Sequence, residues 1–378
     1  MLASVTNNAT LVGFIDQKSQ TVFCWIDWTT TCNLPFSWCE DGTVTKYTTL
    51  DRISTEALLK YATLVVREIE IFIGLVIPVK IGIMFDGCTF KSEHVLAVFA
   101  VFEPDRRVDK VLLAFAPLID DDATDHTAAS PVKFQKGILP YFNRDVTDII
   151  YLVADNCAVN RKGADLLEVP LVVYASHGLN LTAQLFMADH ASQLDKLQSG
   201  AQVAKPQPSG KASRDENVTL LDVRDIFDAL TEHHPVVAKY LAPDASIVKS
   251  PDFEDACAKV LLGKDAEPSQ DQHELLKPFA AHVETQTSVS NDDVDDRAGF
   301  AERVLHARKK QRVSAEVYGW VIFIPPTSNA VELLFSKARH VLSLHRHGIL
   351  PARLEMLLFM MVNRRFWGAA TRSKVVNA

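Results

Sequence analysis

Three acidic residues stand where a folded chain can gather them into one site. Asp86 and Asp155 each end an apolar run that is typical of a buried strand, and Glu332 lies in the first turn of an amphipathic helix. The ends of strands are where α/β sheets present ligand-binding groups. Carboxylates gathered there can hold two hard divalent ions, which activate a water or a 3′-hydroxyl on one side of a phosphodiester and stabilise the leaving oxygen on the other.

Each of these carboxylates also has a purely structural interpretation. Asp86 and Asp155 are followed by glycine and asparagine, and such pairs are common in turns. Glu332 follows Asn329 by three residues, which is the spacing of a capping-box glutamate. Spacing alone therefore leaves both interpretations open.

The first half of the chain predicts a sheet that could position the two aspartates. Apolar runs at 80–85, 94–102 and 110–118 are separated by short breaks, which favours three antiparallel strands. A helix with an apolar stripe at 51–73 precedes them, and Ser54 is its expected N-cap.

Two further strands are predicted at 148–154 and 169–175, after a helix-like stretch at 131–144. The segment between them, 160–167, suits a short helix, and a helical crossover joins parallel strands. The resulting order is β-β-β-α-β-α-β, which describes a mixed sheet.

The second half predicts helices. A polar linker at 199–215 is followed by several helical patterns, and two amphipathic helices near the end form a hairpin that turns around Gly348 and Pro351. We expect the apolar face of this hairpin to cover a partner surface. Its members are Val331, Leu334, Phe335, Leu354, Leu357 and Leu358.

Composition narrows the class of protein. The chain has 378 residues and a formal net charge of −8, which argues against a uniformly basic nucleic-acid binder, although the region after Lys337 is basic. The sequence predicts no membrane-spanning segment and no secretory signal, so we expect a location in the nucleus or cytoplasm. Six cysteines without a C-x-x-C pair predict free thiols rather than a zinc site.

Four ordered blocks resemble those of hAT-superfamily DNA transposases. Residues 85–89, with Asp86-Gly87, are similar to the family's D-G-W-T block, and residues 155–160 resemble its D-N-x-x-x-N block. Residues 170–181 resemble the C-x-x-H-x-x-N-L block, and residues 325–336 resemble the beginning of the C-terminal dimerisation segment.

The resemblance implies an α/β fold, namely an RNase H-like mixed sheet with a helical insertion and a C-terminal helical hairpin. It places the catalytic, metal-binding acids on Asp86, Asp155 and Glu332, with Mg²⁺ or Mn²⁺ as the cofactor of an active enzyme. It also implies DNA as a partner and a homodimer, or a higher homo-oligomer, formed by the hairpin.

Four regions follow from the resemblance and the element pattern together. We expect an N-terminal helical or irregular region at 1–74, the first part of the RNase H-like core at 75–185, a shortened helical insertion at 186–312, and the rest of the core with the dimerisation region at 313–378.

Several departures from the family pattern leave two functions open. Leu333 stands where the family has an arginine after the glutamate, Tyr174 replaces the cysteine of the third block, and Cys88 replaces the tryptophan of the first. The insertion is also shorter than in the family. The first hypothesis is a transposase-derived protein that dimerises and binds DNA without catalysis; the alternative is an active metal-dependent transposase that cuts and joins phosphodiesters.

Overall fold

The computed structural model describes residues 17–90, 93–103, 108–117, 129–189, 218–263, 267–280, 318–344, 349–368 and 371. These residues form a mixed α/β structure around one five-stranded sheet, as the sequence predicts. The predicted linker at 199–215 lies outside the described residues. So do residues 1–16 of the N-terminal region and much of the insertion.

Within the described residues, three α-helices precede the sheet: α1 (Gln17–Thr31), α2 (Gly42–Tyr47) and α3 (Thr55–Val76). Ser54 caps α3 as predicted, because its hydroxyl accepts a hydrogen bond from the Ala57 N–H at 3.2 Å.

The five strands are β1 (Ile81–Phe90), β2 (Glu93–Phe102), β3 (Asp109–Pro117), β4 (Ile149–Ala154) and β5 (Leu171–Val173). Their order in the sheet is β3-β2-β1-β4-β5. The first three pair antiparallel, whereas β1 with β4 and β4 with β5 pair parallel. The predicted meander and the parallel crossover are both confirmed.

The remaining helices of the described residues follow the chain around this sheet. They are α4 (Ala129–Ile138), α5 (Ala158–Leu167), α6 (Ala175–Asp189), α7 (Leu220–His233), α8 (Ala238–Leu241), α9 (Pro251–Leu261), α10 (Gln270–Leu276), α11 (Asn329–Leu344) and α12 (Pro351–Val362). Helix α5 makes the crossover from β4 to β5.

Strand β1 is longer than predicted. The sequence suggests that it ends at Phe85, but the strand continues to Phe90, because β2 pairs with it along its whole length and places Ala97 opposite Asp86. The parallel pairing with β4, in contrast, extends only to Met84 and Val153. Asp86 therefore lies within a strand but just beyond the parallel part of the sheet.

One apolar core joins the sheet to helices from both ends of the chain. Trp25 of α1, Ile69 of α3 and Leu357 of α12 are all fully buried in it, together with the sheet residues Val98 and Val153. Strands β2 and β4 are buried along nearly their whole length, which is the pattern expected of inner strands in a sheet that packs on both faces.

The described part of the insertion attaches to the edge of the sheet. The hydroxyl of Ser250, just before α9, accepts a hydrogen bond from the N–H of Leu171 in the edge strand β5 at 3.1 Å. This contact satisfies a backbone group that an open sheet edge leaves unpaired. Among the helices of the described ranges, none combines the length and the apolar character needed to cross a bilayer.

Candidate acidic site

The sheet brings Asp86 and Asp155 together. Met84 of β1 and Val153 of β4 are partners in the parallel register, and the two aspartates follow these partners by two residues each. Residues that continue adjacent parallel strands in equal register stay close to one another. The proximity of these two carboxylates is thus a consequence of the strand pairing.

Helix α11 brings Glu332 to the same place. Phe90 and Cys88 follow Asp86 at intervals of two residues, so all three side chains emerge from one face of β1. On that face, Phe335 of α11 packs against Phe90 with 6.2 Å between ring centroids, and Arg339 contacts the Cys88 sulfur at 3.5 Å. Helix α11 therefore covers the face of the sheet that carries Asp86.

Within α11, a local hydrogen bond orients the Glu332 carboxylate. Ser328 precedes the helix, and its hydroxyl donates to Glu332 Oε1 at 2.9 Å, while its carbonyl oxygen accepts from the Glu332 N–H at 3.0 Å. The residue before the helix is thus Ser328 rather than Asn329, the cap that the sequence suggested. The Glu332 residue itself is exposed.

The electrostatics of Asp86 show that the three acids interact. Burial raises the pKa of the Asp86 carboxyl to about 6, and the negative charges of Asp155 and Glu332 add to this rise, while the Gly87 N–H opposes it. Burial disfavours the charged form of a carboxyl group, and like charges nearby do the same. The site therefore carries a carboxyl group that gains a proton at unusually high pH.

Asp155 is held from its C-terminal side. The side-chain amide of Asn160 donates to the Asp155 carboxylate and also to its carbonyl oxygen, the latter at 3.3 Å, and the Cys157 N–H reaches the carboxylate at 3.4 Å. Asn160 is buried, so this arrangement is fixed by the start of α5.

Tyr174 is a site residue that the sequence did not single out as functional. Its hydroxyl donates a hydrogen bond to the carbonyl oxygen of Phe85, directly before Asp86, although the side chain is almost fully buried. Burial raises the Tyr174 pKa well above its usual value, and the negative charges of Asp86, Asp155 and Glu332 act in the same direction. The hydroxyl is therefore a neutral hydrogen-bond donor that fixes the backbone beside Asp86.

A backbone contact joins the Tyr174 segment to the approach of α11. The N–H of Ala175 donates to the Pro326 carbonyl oxygen at 2.9 Å. The segment that leads to Glu332 is thereby attached to the end of β5. His177 lies nearby in the first turn of α6 and is half-buried.

Arg339 is a second residue without a predicted role of its own, because the sequence places it only within the basic region that begins at Lys337. It lies two helical turns after Glu332 and therefore on the same side of α11, where it reaches Cys88. Leu333, at the position where the resembled family has an arginine, is exposed instead. The spacing of seven residues was the available sequence signal for a cation on the Glu332 face.

The six residues predicted to form a dimer interface lie in the chain's own core. Their exposed fractions range from 0% to 6%. Helix α12 packs along β3 and against α3, and α11 packs on β1 and β2. The apolar face of the hairpin is covered by this chain itself, because the sheet supplies the surface that we expected from a partner. The affected residues are Val331, Leu334, Phe335, Leu354, Leu357 and Leu358.

The donors at the acidic site are all carboxylate oxygens, which hard divalent ions such as Mg²⁺ and Mn²⁺ prefer. Their arrangement is open: among the described residues, no three His, Cys, Asp or Glu side chains form a group that could hold a metal ion as they stand. Ion binding at these three residues therefore requires the carboxylates to draw closer together, and Glu332 is the exposed member.

Comparison with known proteins does not assign a family. No protein-family model matches the sequence. A search among curated proteins also finds no significant match.

Proposed function

We propose that the chain is a hAT-transposase-derived protein with an RNase H-like core, and that its acidic site carries out metal-dependent phosphodiester chemistry on DNA. One observation carries the proposal: strand pairing places Asp155 beside Asp86, and helix α11, with Glu332 in its first turn, covers the same face of β1. A nuclear location is part of the proposal, because DNA is the substrate.

The topology supports the proposed ancestry. Three antiparallel strands are followed by two parallel strands, with α4 before the fourth strand and α5 between the last two. This is the β-β-β-α-β-α-β order that the RNase H-like interpretation requires. It supports the proposal independently of the acids, because the strand order follows from the apolar pattern and not from the charged residues.

Asp86, Asp155 and Glu332 would hold the Mg²⁺ or Mn²⁺. Bound there, the ion would polarise the phosphodiester and lower the pKa of the attacking water or hydroxyl. The protein's own contribution is orientation: Asn160 holds Asp155, Ser328 holds Glu332, and Tyr174 fixes the backbone at Asp86.

Arg339 takes part in this proposal as a phosphate-binding residue. Its guanidinium is the donor that α11 presents toward Cys88, on the face of β1 that carries Asp86. A guanidinium binds phosphate oxygens through paired hydrogen bonds. It can supply the positive charge that is absent at Leu333.

The non-catalytic hypothesis, a protein that dimerises and binds DNA, is the competing proposal. The six hairpin residues that this hypothesis assigns to the dimer interface are buried within the chain itself, which weakens its support. The non-catalytic hypothesis is still supported by the departures from the family pattern at Leu333, Tyr174 and Cys88.

One experiment decides between the two proposals. The protein is incubated with supercoiled plasmid DNA and Mn²⁺, and nicking is compared for wild type, Asp86→Asn, Asp155→Asn and Glu332→Gln. These substitutions preserve side-chain size and remove the charge that binds the ion. Glu232→Gln is the control, because Glu232 is an exposed glutamate on α7 outside the site.

We expect nicking by wild type and the control, and a loss of at least about 100-fold in the three site variants. Mn²⁺ binding is measured in parallel by paramagnetic resonance. Binding that disappears in the site variants without any nicking by wild type would favour the non-catalytic proposal. If the wild type neither binds Mn²⁺ nor nicks DNA, the assignment of the acidic site is overturned.

A further inference from the structure

A second feature is a cavity between the end of β5, where Tyr174 lines it, and the helices of the insertion. It has a volume of about 80 Å³, and its walls come from α6, α7, α8, α9 and the segment before α11. Most of the lining is apolar. The lining includes Val223, Phe227, Leu241, Ile247, Ala258 and Pro326.

Two acidic residues interrupt the apolar wall, and one of them, Asp255, is paired with Gln272 and Lys259. Glu254 of α9 lines the cavity, and its Oε1 atom is buried and has no hydrogen-bond partner among the described residues. A buried acceptor without a partner destabilises the folded protein, and it does so more strongly when it is charged. An unpaired Oε1 atom lowers the stability of the folded protein unless a ligand or a water molecule donates a hydrogen bond to it.

The neighbouring cation does not satisfy Glu254. Arg224 also lines the cavity, but its Nε donates to Asp228 at 2.9 Å and its Nη2 donates to the Leu241 carbonyl oxygen at 2.8 Å. The positive charge of Arg224 and the Val173 N–H lower the Glu254 pKa, yet burial outweighs them and raises it to about 7. The Glu254 carboxyl group can therefore take up a proton near neutral pH, or accept a hydrogen bond from an N–H group of a ligand.

We infer that this cavity binds a small aliphatic amine, or the amine end of a larger molecule, with Glu254 Oε1 accepting the N–H and the apolar walls enclosing the carbon skeleton. A cavity of this size accommodates a group of about five non-hydrogen atoms. An acidic ligand is disfavoured, because its negative charge would meet a buried carboxylate. An apolar ligand without a donor would leave Oε1 unpaired.

The closing test uses pyrrolidine and tetrahydrofuran as probes. The two rings have the same size and shape, but only pyrrolidine offers N–H donors. Binding to the full chain is measured by ligand-observed NMR titration up to about 20 mM, a range suited to ligands of five heavy atoms. We expect pyrrolidine to bind at least about tenfold more tightly than tetrahydrofuran.

Two variants separate donor recognition from simple filling of space. Glu254→Gln removes the charge and keeps the volume, so it should reduce the preference for pyrrolidine to less than about twofold. Ala258→Leu fills the cavity from α9 and should abolish binding of both probes. Asp252→Asn is the control, because Asp252 is an exposed acid on the same helix that does not line the cavity.

Equal affinity of the two probes for wild type would overturn the role of Glu254. Pyrrolidine binding that survives Ala258→Leu, or no binding of either probe to wild type, would overturn the cavity as a ligand site. These readouts do not involve DNA or a metal ion, so the inference stands or falls independently of the proposed function.

Discussion

The side-chain amide of Asn363 pairs with both backbone groups of Leu112. Its Nδ2 donates to the Leu112 carbonyl oxygen at 2.9 Å, and its Oδ1 accepts from the Leu112 N–H at 3.3 Å. Leu112 belongs to β3, the strand at one edge of the sheet, and Asn363 directly follows α12. Helix α12 is thereby fastened to an edge that would otherwise expose unpaired backbone groups.

Asn363→Leu should destabilise the protein by about 2–4 kcal/mol, because it leaves a buried N–H and a buried carbonyl oxygen without partners. Chemical denaturation followed by circular dichroism measures this. Arg365→Ala is the control: its ion pair with Asp109 is half-exposed and should contribute less than about 1 kcal/mol. Equal effects of the two substitutions would show that the pairing with Leu112 contributes nothing specific.

Leu357→Ala should lower stability without changing the oligomeric state. Leu357 is fully buried within the chain, and truncating a buried leucine costs about 2–5 kcal/mol. Denaturation gives the free energy of unfolding, and light scattering gives the mass at the same protein concentration. Leu333→Ala, at an exposed position of α11, should change stability by less than about 0.5 kcal/mol. If wild type is a dimer and Leu357→Ala is a folded monomer, the hairpin is a dimer interface after all.

Asp86 should make stability depend on pH. The pKa of Asp86 is about 6 in the folded state and about 3.9 in the unfolded state, so the folded state binds the proton more tightly. Protonated Asp86 therefore contributes to the free energy of unfolding at low pH, and this contribution is lost as the pH rises from about 4 to about 6. The free energy of unfolding of Asp86→Asn should therefore exceed that of wild type by about 2 kcal/mol above pH 7, and the difference should vanish near pH 4.

Urea denaturation from pH 4 to pH 8, without divalent ions, measures this difference between Asp86→Asn and wild type. Glu232→Gln should follow the wild-type curve throughout, since Glu232 is exposed on α7. Parallel curves for wild type and Asp86→Asn would contradict the raised pKa.

The strands and their order along the chain could be predicted from sequence, because long apolar runs separated by short breaks are typical of successive strands. The length of β1 could not. Asp86-Gly87 resembles a turn, and only the pairing of Asp86 with Ala97 of β2 keeps the chain extended there. Pairing with β2 overrides the local preference of Asp86-Gly87 for a turn, and the sequence does not identify that partner strand.

The approximate location of the acidic site was predictable for a similar reason, since strand ends and helix starts are visible in the sequence. Tyr174 was not, because its partner is the backbone carbonyl of Phe85, and backbone partners leave no trace in side-chain patterns. The hairpin shows the converse limit. An apolar stripe predicts that a surface covers it, but it does not say whether that surface belongs to the same chain.

Gly82 has no room for a side chain. A Cβ atom there would lie 2.0 Å from Cζ of Tyr151, its partner residue in β4, and Tyr151 is itself buried and stacks on Phe279 with 5.8 Å between ring centroids. The ring cannot move aside without disturbing that stacking. Gly82→Ala should therefore destabilise the protein by about 2–3 kcal/mol, as overpacking of a filled core does.

A double substitution tests this cause directly. Tyr151→Val removes the ring that a new Cβ would meet, so Gly82→Ala should cost at least about 1 kcal/mol less in that background than in wild type. Gly42→Ala is the control, since a Cβ at Gly42 would meet nothing within 4 Å. If the two substitutions are additive, the contact with Tyr151 is not what requires glycine at position 82, and the close approach of β1 to the β4 side chain loses its structural role.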